Sequence, residues 1–425
     1  MKKTDAIYQK YVDILKRELI PAMGCTEPIA LAYAAAKARQ TLGCLPERVQ
    51  VWASGSIIKN INSVIVPNTG HLKGIAAAAA AGIAAGEADR ELEVLSGIKK
   101  EELSRIREFL DTAEFDIRQA ENGKVFDITV TVWKGENYAT VRISDYHTNL
   151  VLIERNHEIL WQKDQDASED PDEGAGLQMN VQSIWDFADT ADLTDVKELL
   201  KRQIDCNMAI AEEGLRGDYG ANIGKTLLQM DGDNVKTRAK AMAAAASDAR
   251  MNGCELPVII NSGSGNQGIT VSVPVEVYAR HLGVTEEKKY RALLLSNLLA
   301  IHQKAGIGRL SAYCGAICAG AAAGAGISYL HGGGYREACH TVVNALAVVS
   351  GMICDGAKSS CAAKIAVSVE AGIMGYFMYC QGQEFYGGDG IVAKGIENTI
   401  RNVGRLGRDG MRETNEEIIR MMIGC

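Results

Sequence analysis

Residues 311–330 read SAYCGAICAGAAAGAGISYL, a run dominated by alanine and glycine with almost no charge. It is about as long as a bilayer span, which takes roughly 20 apolar residues, yet it has little of the Leu, Phe and Val bulk such spans carry. Small residues instead suit helices whose backbones approach closely inside a protein. The run GIAAAAAAGIAAG at 74–86 reads the same way and is too short to span. With only six phenylalanines and four tryptophans in 425 residues, the core must be built from close backbone contact, which suits helices better than sandwiches.

Outward from these runs, residues 4–39 read as helix, broken at Pro21-Ala-Met-Gly-Cys-Thr-Glu-Pro28 by two prolines and a glycine. Residues 48–66 alternate in the strand manner and end at the turn Pro67-Asn-Thr-Gly70, so a short hairpin is expected ahead of the Ala-rich helix. From Phe115 to Trp161 four segments, FDIRQ, VFDITVTVWKG, YATVRISDY and NLVLIERNHEILW, predict an antiparallel meander. The acidic run 164–173 reads as a solvated linker. Helices are expected over 186–252 and from 286 to the end, with a short buried strand at 257–262. The predicted class is α+β, mostly α. A helical catalytic domain is built from both chain ends (1–90, with the hairpin, and 181–425), and a smaller α/β domain with an antiparallel sheet is inserted at 91–180. The site should lie where the N- and C-terminal segments meet.

Apolar residues make up 47%, charged residues 23%, and the net charge is -8, which excludes a disordered chain and offers no basic stripe for a nucleic acid. The charged N-terminal residues leave no apolar signal segment, so a cytoplasmic protein without membrane partners is expected. Eleven cysteines without such a signal point to a reducing compartment, where thiols serve as metal ligands, catalysts or small hydrophobes.

Cys314, Cys354 and Cys361 stand in Gly/Ala/Ser-rich settings (YCG, ICDG and SCA). Thiolates are the ligands of iron-sulfur clusters, and small neighbours let backbone N–H groups approach the sulfides. No compact C-x-x-C run is present, and zinc or plain burial are competing readings of the same residues. Three thiolates on a 4Fe-4S cube would leave one iron open as a Lewis acid. Cys25, in its proline-bounded loop ahead of a helix, is expected to have a lowered pKa and to act as ligand, nucleophile or general base; a buried loop thiol is the alternative. Two loops look suited to an amino acid's charged groups. In Pro67-Asn-Thr-Gly-His-Leu-Lys73, Asn68, Thr69 and Gly70 would orient the substrate while His71 or Lys73 neutralises its carboxylate. In Asn261-Ser-Gly-Ser-Gly-Asn-Gln-Gly268, Ser264, Gly265, Asn266 and Gln267 line an anion-binding nest. That loop has neither Rossmann nor Walker spacing, and turn chemistry explains each residue singly. Ser54-Gly-Ser56 and Lys59-Asn60 are candidates for the same pocket. The other histidines show no metal-binding pairing and receive no role.

Taken together, PAMGCTEPIALAYAAAKA, VIVPNTGHLKG, NSGSGNQGITVSVPV, LSAYCGAICAG and GMICDGAKSSCAAKIA resemble the L-cysteine desulfidase family, which is related to the alpha chain of iron-sulfur L-serine dehydratases. The resemblance covers essentially the whole chain. It implies a 4Fe-4S cluster on Cys314, Cys354 and Cys361, with substrate at the unique iron. It also implies a pyridoxal-phosphate-independent lyase that converts L-cysteine to pyruvate, sulfide and ammonia and is sensitive to oxygen. Cys25 matches the family's characteristic loop and is the candidate base, with Lys73 beside it as a catalytic candidate. In the related dehydratases a C-terminal cysteine can occupy the open iron, a role Cys425 could fill. Serine dehydration is the sister activity. A pyridoxal phosphate desulfhydrase, a non-catalytic iron-sulfur sensor and an amino-acid-binding protein are the readings from other classes. A homodimer is the default expectation.

Overall fold

The structure is a computed structural model that describes residues 1–163, 179–308 and 310–423; the acidic run 164–173 and Cys425 lie outside the described residues. The chain opens with α1 (Ala6–Glu18), β1 (Pro21–Met23), α2 (Thr26–Leu42), β2 (Arg48–Ala53), α3 (Gly55–Ile61), α4 (Gly74–Ala85) and α5 (Leu103–Thr112). Five strands follow: β3 (Glu114–Gln119), β4 (Asp127–Lys134), β5 (Asn137–Ser144), β6 (Leu150–Arg155) and β7 (Glu158–Gln162). Next come α6 (Val181–Thr190), α7 (Lys197–Arg216), α8 (Ile223–Asp231), α9 (Val235–Met251), β8 (Pro257–Ile259), α10 (Gly265–Leu282) and α11 (Glu286–Ala305). The C-terminal part holds α12 (Ala316–Leu330), α13 (Tyr335–Val349), α14 (Cys361–Cys380), α15 (Ile396–Arg405) and α16 (Arg412–Ile423). The α+β, mostly helical class is as expected.

The small residues do what their size allows. A Cβ on Gly320 of α12 would stand 2.3 Å from the Ser368 carbonyl oxygen of α14, and one on Gly372 of α14 would stand 2.1 Å from the Gly320 oxygen. The two helices therefore cross backbone to backbone, a packing that interiors tolerate only without side-chain bulk. Most of the two runs forms buried helices, α4 and α12, while residues 311–315 lie ahead of α12 in a short bridged segment. Among the described residues, α14 alone is long and apolar enough to cross a membrane, and 56% of that window is buried inside the protein.

The sheet departs from expectation at both ends. Residues 48–66 form no hairpin: β2 ends at Ala53, and the chain turns at once into α3. Ile57 and Ile61, four residues apart, are both fully buried, a helical period written in residues that also suit strands. β2 then joins the larger sheet, whose order is β3-β2-β4-β5-β6-β7, pairing parallel with β3 and antiparallel with β4. The segment NLVLIERNHEILW is two strands, not one, joined at Asn156 and His157 with φ of 48° and 67°. Two successive left-handed residues are the geometry of a tight hairpin turn, which Asn-Gly more commonly supplies.

Candidate functional site

β1 pairs antiparallel with β8 in a two-stranded sheet, and Met23 faces Pro257. That register sets the loop leaving β1 beside the end of α9, just before β8. Gly24 makes the turn with φ 62°, and a Cβ there would stand 2.1 Å from Pro67 Cγ, so the Pro67 turn buttresses it from behind. Cys25 becomes the N-cap residue of α2, with only 2% of its surface exposed.

The Cys25 thiol donates to Glu27 Oε2 at 3.0 Å. Glu27 Oε1 accepts from Asn60 Nδ2 at 2.9 Å and lies 3.9 Å from Nε2 of His147, carried in by the β5–β6 connection. The Thr26 hydroxyl lies 3.0 Å from the Gly263 carbonyl oxygen, which ties the Cys25 loop to the 261–268 loop. Burial alone would raise the Glu27 carboxyl. The neighbouring His147 ring, followed by the Cys25 thiol, outweighs burial and holds Glu27 at about 2. The Cys25 thiol moves the opposite way. Desolvation first, then the adjacent Glu27 charge, push it well above its ordinary value. The lowered pKa expected from the helix end is thus reversed, because the helix end cannot offset complete removal from water. In the resting pair the proton sits on sulfur.

Cys314 and Cys354 lie on two short segments bridged at Tyr313 and Ile353. The Cys314 N–H donates to the Met352 carbonyl at 3.1 Å and the Cys354 N–H to the Ala312 carbonyl at 2.6 Å. Cys361 opens α14 and, with Ala357, packs against Cys25, Val64 and Met251. Burial, then the neighbouring Cys354, push the Cys314 thiol up to about 12, and burial also raises Cys361. Cations surround the three thiols. Lys59 Nζ donates to the Cys354 carbonyl at 3.0 Å, Lys364 Nζ to the Ile353 carbonyl at 2.8 Å, and Lys358 pairs with Asp355 at 2.5 Å.

Among the described residues no three His, Cys, Asp or Glu side chains converge as ligands of a single ion. This disfavours a zinc site on these cysteines. An iron-sulfur cube is a different test, since each thiolate binds a different iron and the sulfurs stand apart. Three neighbouring thiols on small-residue segments, ringed by lysines that offset negative charge, fit that larger group.

The remaining predicted residues divide. Gln267 reaches the cysteine segment: a Cβ on Gly315 would come 2.7 Å from its Cδ. Ser264 caps α10, and Gly265 and Asn266 begin that helix beside Arg250, whose Nη1 donates to Asn266 Oδ1 at 3.1 Å. The polar groups of Asn68 and Thr69 in the Pro67 turn are engaged within the protein. Asn68 Nδ2 donates to the Leu95 carbonyl at 2.8 Å, and the Thr69 hydroxyl donates to the Val66 carbonyl at 2.6 Å. Gly70 sits beside Arg107 of α5, while His71 and Lys73 are exposed, His71 near Gly253.

Of the thirteen buried side-chain polar atoms without a hydrogen-bond partner among the described residues, four concern this site: Asn60 Oδ1, His147 Nε2, Arg250 Nε and Gln267 Oε1. All belong to residues that border Cys25, Glu27 or the cysteine segment. Each unsatisfied buried group is costly, and these four are ones that a polar ligand seated beside them would satisfy.

The family model described as serine dehydratase alpha chain matches residues 89–420. The chain belongs to the serine dehydratase alpha chain family. It is 57% identical to a UPF0597 protein of Desulfitobacterium hafniense, over 100% of this chain and 98% of that protein. A UPF0597 protein of Lachnoclostridium phytofermentans is 50% identical over 98% of this chain and its own full length, and one of Treponema denticola is 46% identical over 98% of each. The serine dehydratase alpha chain family is one of lyases, so membership gives this chain a lyase-type scaffold.

Glu27, His147 and Arg250 received no role from sequence. Glu27 carries a signal in retrospect, a carboxylate two residues from a loop thiol. His147 and Arg250 carry none, since only the β1–β8 pairing and the larger sheet bring them in.

Proposed function

We propose that this chain is an iron-sulfur lyase that eliminates a β-substituent from a small L-amino acid, with L-cysteine as the preferred substrate. The observation that carries the reading is the Cys25–Glu27 pair packed against Cys361. A proton-holding dyad and a cluster-type thiol meet at one pocket. Cys314, Cys354 and Cys361 would hold a 4Fe-4S cluster, whose open iron supplies Lewis acidity toward the leaving group. A soft thiolate leaving group suits iron better than a hard cation.

The chain's own residues handle the proton. Cys25 would act as the base in its thiolate form, once its proton is lost to solvent as the ligand enters, and would accept the substrate's α-proton; Glu27 stays ionised and orients the sulfur through the hydrogen bond at its Oε2. Asn60 and His147 hold the Glu27 carboxylate in place for that role. The β-thiolate leaves as the α-carbanion collapses. The released aminoacrylate tautomerises and takes up water, so cysteine and water become pyruvate, sulfide and ammonia. The same steps with hydroxide leaving give serine dehydration, a second reading favoured by the family description itself.

The test is anaerobic reconstitution followed by iron and sulfide analysis and pyruvate assays with L-cysteine and L-serine. About four irons per chain and turnover of cysteine above serine are expected. Cluster incorporation without pyruvate from either substrate would overturn the lyase reading. Serine-only turnover would transfer it to the sister activity. Air exposure should abolish turnover together with the cluster's absorption.

A further inference from the structure

Arg250, in the last turn of α9, is 3% exposed. Among the described residues no carboxylate lies within ion-pair distance of its guanidinium, whereas buried Lys240 and Glu276 are paired. Lys240 has Glu370 at 2.7 Å, and Glu276 has Arg280 at 2.6 Å. Lys59, the other buried cation near the cysteines, is committed to the Cys354 carbonyl and to Asn415 Oδ1 at 2.7 Å. Among the described residues Arg250 donates a hydrogen bond to a neutral amide, Asn266 Oδ1, and its Nε has no hydrogen-bond partner. A guanidinium is permanently charged and carries five donors, so this burial is expensive unless an anion completes it.

The guanidinium is held in a fixed place by its surroundings. Gly265 lies so close that a Cβ there would stand 2.3 Å from Arg250 Nε, and only glycine permits the approach. The next residue, Met251, shares a buried cluster with Cys25 and Val64. The Arg250 charge also acts to lower the Cys25 thiol pKa, against the larger effect of burial, which places the two groups in one electrostatic neighbourhood.

We infer that Arg250, positioned by Asn266 and the side-chain-free Gly265, is the group that receives the α-carboxylate of the amino-acid ligand beside Cys25. This rests on the reading of the pocket as an amino-acid site and deepens it. The planar fork of a guanidinium pairs two-pronged with a carboxylate, which fixes orientation as well as position. The carboxylate anchor is therefore not in the Pro67 turn, where Lys73 and His71 are exposed.

The experiment uses the reconstituted holoenzyme and calorimetric binding of two non-reacting probes, L-alanine and its amide, which differ only in the carboxylate. The intact protein should prefer L-alanine, and Arg250→Met should erase that preference, a loss of about 100-fold on the scale of breaking a buried charge pair. Arg250→Lys keeps the charge but not the fork and should retain only part of the preference; it carries the test if the methionine variant does not fold. Asn266→Ala should weaken the preference less, with iron content unchanged. An undiminished preference for L-alanine in Arg250→Met, or in Arg250→Lys if that variant alone folds, would overturn the inference, as would no preference in the intact protein. Because binding is read without turnover, an Arg250-dependent preference in a protein that releases no pyruvate would sustain this inference while defeating the lyase reading.

Discussion

Cys25 and the trio Cys314, Cys354 and Cys361 are the same residue type in two unlike settings. Cys25 is shut into a rigid corner, capped onto α2 and bonded to a carboxylate. The trio sits half-buried on short bridged segments and a helix start, ringed by Lys59, Lys358 and Lys364. A thiol against an acid is built to hold a proton. Thiols among lysines suit the metal-holding role proposed above, in which they would give their protons up. Environment, not residue type, separates actor from holder.

The strongest way to break this contrast is to remove a holder. Cys354→Ala should lose bound iron and all measurable turnover; a variant that keeps its full iron content would show that Cys354 is not a ligand. Next is the actor. Cys25→Ser should keep the cluster's absorption while turnover falls about 100- to 10,000-fold, the usual worth of a positioned proton-transfer group. Loss of absorption instead would move Cys25 to the holders.

Glu27 sharpens the contrast through acid stability. Its folded-state pKa of about 2 lies below the ordinary 4.5, so its stabilisation is fully present above 4.5 and disappears as pH falls through 2. Urea unfolding of the iron-free protein should therefore show the native chain losing roughly 3 kcal/mol across that window. Glu27→Gln should lack that component, and parallel pH profiles for the two proteins would contradict the low value. The smallest effect belongs to Lys73. Replacing this exposed residue by alanine should change stability by no more than about 0.5 kcal/mol and leave the KM for cysteine unchanged. A large rise in KM would return the carboxylate anchor to the Pro67 turn.

What could be read without coordinates follows from how local each signal is. The buried helices within 74–86 and 311–330 were legible because residue size alone dictates close packing. The cysteine trio stood out through its small, nearly uncharged neighbours. Residues 48–66 misled because Ile and Val serve strand and helix alike, and the buried pair Ile57 and Ile61 reveals its period only when α3 is seen. The Cys25 pKa reversed because proximity to a helix end is visible in sequence while complete desolvation is not. Arg250 and His147 were invisible for a third reason: each arrives through a pairing between segments far apart in the chain.

Asn415 of α16 illustrates that distance. Its side chain accepts from Lys59 and donates to Ser56 at 3.2 Å, so the last helix latches the α3 segment that also touches the Cys354 carbonyl. During synthesis, Cys25 and Glu27 emerge early and must wait for nearly all the remaining chain before their surroundings exist. The pocket is therefore a late product of folding, and a ribosome that stalls before α16 releases a protein with its thiols in place but no finished site to expose them to substrate.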